Sequence, residues 1–175
     1  MEALATRYSP AVTTPPNLTV RPARVEDAPA LGRLAAMLVA LHHEYDPERF
    51  IAPGPQTELG YGRFLASQIE RKDAIVLLAE EEGAVVGYAY ATLDGPDWMA
   101  LRGPAGVLQD ILVAPERRGG GIGAALLEAA LAALAGLGAP RVVLHTAARN
   151  AGAQRLFAAA GFRDTMIEMT REWPT

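Results

Sequence analysis

A glycine-rich segment with two arginines stands between an apolar run and an Ala/Leu-rich run near the middle of the chain. The apolar run, residues 106–113, has the composition of a β-strand, and residues 121–136 have that of a helix. Glycine inside a helix costs up to about 1 kcal/mol relative to alanine, and the helix dipole opposes cations at this end by roughly 0.3–1 kcal/mol each. A bound anion offsets both costs, because bare glycine backbone lets N–H groups approach phosphate oxygens while arginine neutralises charge. The sequence therefore predicts a phosphate-binding loop, consisting of Arg118, Gly119, Gly120, Gly121, Ile122, Gly123 and Ala124.

The elements that must position this loop follow from hydrophobic periodicity and from the Gly and Pro residues between the periodic segments. Strands are predicted at 18–22, 74–79, 84–92, 106–113, 141–146 and 162–170, and helices at 26–43, 57–72, 121–136 and 150–160. The second and third strands flank Glu81-Glu82-Gly83, which is typical of a hairpin. A hairpin followed by strand, helix and strand predicts an α/β fold with a mixed sheet.

Length and composition limit the class of protein. The 175 residues predict one domain over 18–175, preceded by a Pro- and Thr-rich arm at 1–17. A net charge of −4 gives no electrostatic reason to expect nucleic acid, and no apolar run reaches the roughly 18 residues of a membrane span. With no cysteine and three histidines, a metal site is not expected. The missing cysteines and the absence of a secretory signal at the N-terminus favour a cytoplasmic protein.

Three stretches match, in order, the motifs of one known family. Residues 113–123 fit the pattern Arg/Gln-x-x-Gly-x-Gly/Ala through Arg118, Gly121 and Gly123. Residues 150–162 begin with Asn, continue as an Ala/Leu helix with an aromatic residue, and end in Gly-Phe, and a weaker match covers residues 18–27. Together they resemble the GNAT superfamily of N-acetyltransferases, in which the glycine loop binds acetyl-CoA.

The resemblance implies a fold that periodicity alone does not indicate. It predicts a twisted mixed sheet of six to seven strands flanked by about four helices, with the strands at 106–113 and 141–146 splayed apart. The pantetheine of acetyl-CoA is expected in that opening. The family pattern places the following residues at the cofactor in addition to the loop: Ile111, Leu112, Val113, Asn150 and Phe157.

The resemblance also implies transfer of an acetyl group from acetyl-CoA to a small-molecule amine, by direct attack in a ternary complex and without a metal. An amine with a pKa near 10.4 must lose a proton, which costs about 4–5 kcal/mol at neutral pH, so a base is expected. Asp110 is the candidate, although several relatives carry the acid one position earlier, where this chain has Gln109. Many relatives have a tyrosine at the position of Phe157, so Tyr90 or Tyr88 is the candidate proton donor, unless the thiolate leaves unaided.

The acceptor side is predicted at the end of the first helix and in the loop before the predicted strand at 106–113. Glu44, Tyr45 and Trp98 are the candidate acceptor-binding residues, since GNAT acceptor pockets border these two regions. The acidic residues nearby, Asp46, Asp94 and Asp97, favour a cationic acceptor resembling a polyamine or an aminoglycoside. Many GNAT proteins dimerise, so the resemblance also raises the expectation of a homodimer.

Two other function classes fit parts of the sequence. Gly119, Gly121 and Ala124 satisfy the G-x-G-x-x-A pattern of dinucleotide-binding oxidoreductases, but the strand ending at Thr146 lacks the acid that would bind the ribose. No Gly-Lys-Ser/Thr sequence is present, which excludes a P-loop. A protein that binds acetyl-CoA as a sensor or interaction module, with little catalysis, also fits Gln109 and Phe157.

Overall fold

The computed structural model describes residues 17–173, so all but the last residue of the arm predicted at 1–17 lies outside the described residues. The strands are β1 (Leu18–Pro22), β2 (Ala74–Glu81), β3 (Ala84–Asp94), β4 (Ala105–Val113) and β5 (Val142–Leu144). The helices are α1 (Ala28–Tyr45), α2 (Thr57–Ile69), α3 (Ile122–Gly136) and α4 (Ala151–Ala159). Every predicted helix is present, and none of its ends differs from the prediction by more than three residues.

The strands form one mixed sheet in the order β1-β2-β3-β4-β5. The first three pairings are antiparallel, and β4 pairs with β5 in parallel. The predicted β2–β3 hairpin turns through Glu82 and Gly83, which have φ values of 52° and 80°, as a tight turn with the right-handed strand twist requires. The predicted fold class, an α/β protein with a mixed sheet, is confirmed.

The β4–β5 pairing covers only three residue pairs, from Gly106↔Val142 to Leu108↔Leu144. Strand β4 continues to Val113 without β5 beside it. The predicted separation of these two strands is therefore present, and it opens a gap along the second half of β4.

The number of strands differs from the prediction, because the described residues form five strands rather than six to seven. Residues 162–170, predicted as a closing strand, have no regular secondary structure and pair with no strand of the sheet. The exposed fractions of Met166, Ile167 and Met169 are 73%, 85% and 89%, so this segment buries no apolar face. Since β5 has only three paired residues, it also offers a short edge on which to add a strand.

Two apolar cores lie on opposite faces of the sheet. One core packs α3 and Phe157 against β2, β3 and β4. The other packs α1 and α2 against Leu78, Tyr88 and Leu112. Helices α1 and α2 are in backbone contact at Gly62. A Cβ atom added to this residue would lie only 2.5 Å from the carbonyl oxygen of Ala28. This close approach fixes α2, and with it Tyr61, against the sheet.

Candidate active site

A cleft of about 820 Å3 runs from the start of α3 to the end of α1. One side is the free half of β4, from Gln109 to Val113, where β5 has diverged. Helix α4 and the first turn of α3 close one end, while α1, the loop after it and Tyr61 close the other. The gap between β4 and β5 therefore connects the α3 end of the cleft with its α1 end.

The first end is a helix N-terminus approached by glycine. Gly121 is the N-cap of α3 with φ 85°, and Gly119 has φ 84°, a left-handed conformation that side chains disfavour by about 1–2 kcal/mol. Pro115 begins the short 3-10 turn that carries the chain from β4 to these glycines. The first N–H groups of a helix lack intrahelical acceptors, so this end of the cleft presents backbone donors and the positive end of the α3 dipole.

The two arginines of the loop have different partners. The Arg118 Nε donates to the carbonyl oxygen of Val113 at 3.0 Å, which ties the loop to the end of β4. Arg117 pairs with Glu81 at 3.3 Å. Both arginines line the cleft, and Arg117 shares its charge with a carboxylate of β2.

The structure brings together most of the predicted cofactor residues. The residues that line the cleft are Ile111, Leu112, Val113, Arg118, Gly119, Gly121, Ile122, Gly123, Ala124, Asn150 and Phe157. Gly120 belongs to the same loop but is not part of the lining. Asn150 also caps α4, since its Oδ1 accepts from the N–H of Ala153 at 3.1 Å, as its position before a helix indicated.

Asp110 is a partly buried carboxylate in the wall of the cleft. The Tyr61 hydroxyl donates to its Oδ2 at 2.8 Å, and the Tyr88 hydroxyl donates to the same oxygen at 3.0 Å. Burial raises the pKa of Asp110 above the ordinary 3.8, while the two tyrosine hydrogen bonds and the charge of His42 act in the opposite direction. The result is a carboxylate with a higher proton affinity than a solvated aspartate, which suits a general base.

A bulge in β4 explains why Asp110 faces this site. Tyr90 pairs with Asp110 and Ala91 pairs with Leu108, so Gln109 is the extra residue opposite β3. A bulge re-aims the side chains beside it, so they depart from the regular alternation between the two faces of the sheet. Gln109 instead donates to Thr92 Oγ1 at 3.1 Å.

The two candidate tyrosines occupy different places. Burial and the neighbouring Asp110 raise the pKa of Tyr88 well above its ordinary value, so its hydroxyl remains a donor. Tyr90 lies outside the cleft lining, and its hydroxyl donates to Gln68 Oε1 at 3.1 Å. The structure thus places Tyr88, rather than Tyr90, at the carboxylate. Phe157 is buried and packs edge-on against Phe162, with 5.9 Å between the two ring centroids.

Tyr61 is a site residue that the sequence did not single out. Burial and the charge of Asp110 raise the pKa of Tyr61 far above its ordinary value. Its flanking residues, Gly60 and Gly62, are the available sequence signal, since glycine inside a helix usually has a packing or functional reason. Gly62 has that reason in its contact with α1.

Of the three predicted acceptor-binding residues, one lines the cleft and two do not. Tyr45 lines the cleft, together with His42 one turn earlier in α1. Glu44 is exposed and Trp98 is 83% exposed, and neither belongs to the lining. The carbonyl oxygen of Leu38 lies 2.9 Å from His42 Nδ1. Because a carbonyl only accepts, Nδ1 carries a proton in this contact, and Nε2 is the ring nitrogen left for another partner.

Comparisons with known proteins agree with this geometry. The chain matches the model of the acetyltransferase (GNAT) family over residues 37–162. A mycothiol acetyltransferase from Thermobispora bispora is 38% identical over 96 residues, which are 53% of this chain and 31% of that protein. The uncharacterized N-acetyltransferase YhfO of Bacillus subtilis is 26% identical over 149 residues, covering 84% of this chain and 91% of YhfO. A mutant of the BH1408 protein from Bacillus halodurans has the same fold, with a TM-score of 0.74, 21% identity and coverage of 90% and 99% of the two chains.

The chain belongs to the acetyltransferase (GNAT) family, whose members use acetyl-CoA. It spans about a third of the length of the mycothiol acetyltransferase that it matches. No helix within residues 17–173 is long and apolar enough to cross a membrane. In the same part of the chain, no three His, Asp or Glu side chains are grouped in a way that would hold a metal ion.

Proposed function

We propose that the protein is an N-acetyltransferase that transfers the acetyl group of acetyl-CoA to a primary amine of a small molecule within a ternary complex. The observation that carries the proposal is one cleft with a glycine-capped helix N-terminus at one end and the partly buried carboxylate of Asp110 along its wall. An anion-binding end and a base are the two things that this chemistry requires of a protein.

The residues of the first end fit coenzyme A. The N–H groups at the start of α3 and the guanidinium of Arg118 suit its diphosphate, because both donate hydrogen bonds to anionic oxygens. The free edge of β4 from Ile111 to Val113 offers backbone groups to a pantetheine amide. When bound, the molecule supplies an activated thioester.

Asp110 is proposed to take the proton from the acceptor amine. Both tyrosine hydroxyls bond Oδ2, which leaves Oδ1 to receive that proton. As the amine nitrogen bonds to the acetyl carbon, the carbon–sulfur bond breaks and the electron pair leaves on sulfur. Phe157 has no proton to give, and with a thiol pKa near 8.5 the thiolate leaves without an acid. His42, with Nε2 available, is a second group able to pass the proton to water.

Thiol release tests the proposal. The purified protein is mixed with acetyl-CoA and a panel of amines, and free coenzyme A is followed with a thiol-reactive dye while mass spectrometry identifies the acetylated amine. Release that depends on both an amine and Asp110 supports the proposal. Tight binding of acetyl-CoA without release for any amine would instead favour the second reading, a binding module with little catalysis.

A further inference from the structure

The acceptor end of the cleft is apolar and aromatic. The side chains there come from α1, from the loop after α1 and from α2, and they are Leu38, Leu41, Tyr45, Phe50, Ile51 and Tyr61. Phe50 stacks its edge on His42 at 4.9 Å between ring centres. Ile51 is 79% exposed at the rim, which leaves apolar surface for a ligand to cover.

Carboxylates are scarce in the same cleft. Asp110 is the one acidic residue among the described residues that line it, whereas Arg117, Arg118 and Arg155 all border it. An acceptor with several ammonium groups needs several carboxylates, because a buried charge without a partner is strongly disfavoured. One carboxylate suits an acceptor with one amine.

The acidic residues that the sequence associated with the acceptor have other partners. Asp94 and Asp97 face Arg102 at 4.0 and 3.8 Å. Asp97 also accepts from the N–H groups of Met99 and Ala100, which fixes its own loop. Asp46 accepts from two backbone N–H groups after α1. The acidic residues on which the expectation of a polyamine- or aminoglycoside-like acceptor rested are therefore engaged in contacts of their own.

We propose that the acceptor is a monoamine attached to an apolar or aromatic body, with the amine at Asp110 and the body against Phe50, Ile51 and Tyr45. This inference rests on the proposed acetyl transfer and narrows its substrate. Binding should then grow by about fourfold for each buried methylene, the factor that corresponds to 0.8 kcal/mol.

Two amines of equal length test the inference. Heptylamine and hexamethylenediamine differ only in whether the distal end is a methyl or an ammonium group, and kanamycin represents the aminoglycosides. We expect kcat/KM with acetyl-CoA to be at least about tenfold higher for heptylamine than for the diamine, because the distal ammonium would be partly desolvated against apolar side chains with no carboxylate beside it. A preference for the diamine or for kanamycin would overturn the inference.

A variant at the rim sharpens the test. Ile51→Asp places a carboxylate where the distal end lies, so the preference for heptylamine should fall by about tenfold or reverse. Ile167→Asp makes the same change at an exposed position outside the cleft lining, and it should leave the preference as it is. An unchanged preference in Ile51→Asp would contradict the placement of the body against Ile51.

Calorimetry separates this inference from the proposed function. Each amine is titrated into the protein saturated with coenzyme A. Should no amine be acetylated while heptylamine still binds about tenfold more tightly than the diamine, the proposed function fails and the apolar acceptor site stands. If heptylamine binds no better than the diamine, the apolar acceptor site is wrong, whatever the turnover.

Discussion

The two ends of the cleft present different chemical groups, backbone N–H groups at one end and side chains at the other. At the α3 end, the groups that suit a phosphate are backbone N–H donors, held by glycines with φ near 85°. At the α1 and α2 end, the groups that suit an amine are side chains, with two tyrosine hydroxyls and one carboxylate in a hydrogen-bonded cluster. One end depends on local chain conformation, and the other depends on contacts among three separate elements.

This difference has a consequence for mutation. A change in the glycine loop should weaken cofactor binding without altering the ionisation of Asp110, since the loop shares no hydrogen bond with the tyrosine cluster. A change in the cluster should alter catalysis and its pH dependence without altering cofactor affinity. The predictions below test whether the two ends separate in this way.

The largest effect is expected from removing the base. Asp110→Asn should lower kcat by about 10²–10⁴-fold, the usual contribution of a general base, while the affinity for coenzyme A stays within about twofold. Steady-state kinetics and calorimetry measure the two quantities. Asp164→Asn is the matched control, because Asp164 is an exposed residue in the C-terminal segment. Full activity of Asp110→Asn across the pH range would rule out Asp110 as the base.

The next effect is a change in pH dependence. The Tyr61 hydroxyl lowers the pKa of Asp110 by donating to its charged form, so Tyr61→Phe should raise that pKa and move the acidic limb of kcat/KM to higher pH. A hydrogen bond to a charged group contributes about 1.5–3 kcal/mol, so activity below the limb should fall at least about tenfold. Tyr90→Phe is the control, since Tyr90 bonds Gln68, and its pH profile should match the wild type. Identical limbs in all three proteins would exclude the Tyr61–Asp110 contact from the mechanism.

A smaller effect is expected at the glycine loop. Gly121→Ala places a side chain at φ 85°, which costs about 1–2 kcal/mol and should weaken binding of coenzyme A by roughly tenfold. Gly136→Ala lies at the other end of the same helix, where an added Cβ meets nothing within 4 Å, and should leave affinity unchanged. Calorimetric titration compares the two variants. Equal affinities would show that the loop conformation is not required for binding.

The smallest effect concerns stability, and its sign depends on pH. Burial raises the folded-state pKa of Asp110, so the wild-type chain loses stability as pH rises through that pKa. Asp110→Asn should therefore melt at a higher temperature than the wild type at pH 8, with the gain disappearing at acidic pH. Asp27→Asn should do the reverse, because the hydrogen bond from Arg21 lowers the pKa of Asp27 and its contribution is lost as pH falls. Thermal melts across pH measure both variants. A difference in melting temperature between the wild type and Asp110→Asn that stays constant with pH would contradict the partial burial of Asp110.

The α3 end was predictable from sequence because its information is local. The glycines, the preceding strand and Asn150 each act within a few residues of themselves, and the structure has the helix N-terminus and the α4 cap where the sequence placed them. The helices followed in the same way from their apolar periodicity.

The other end depends on contacts that no local pattern contains. Tyr61 reaches Asp110 across 49 residues because Gly62 lets α2 approach α1, and the bulge at Gln109 depends on the register with β3. Trp98 and Glu44 seemed suitable for an acceptor by residue type, but their side chains face solvent. The predicted strand at 162–170 was wrong because a strand requires a partner edge, and β5 provides only three residues.

Comparative titration of coenzyme A and pantetheine most directly tests whether the start of α3 binds the diphosphate. The two molecules share the arm expected along β4, and pantetheine lacks the phosphates. Coenzyme A should bind at least about tenfold more tightly, since each charge-assisted hydrogen bond contributes about 1.5–3 kcal/mol, and Gly121→Ala should reduce that difference. Equal affinities, or no heat with coenzyme A, would contradict the assignment of the glycine loop as the phosphate site.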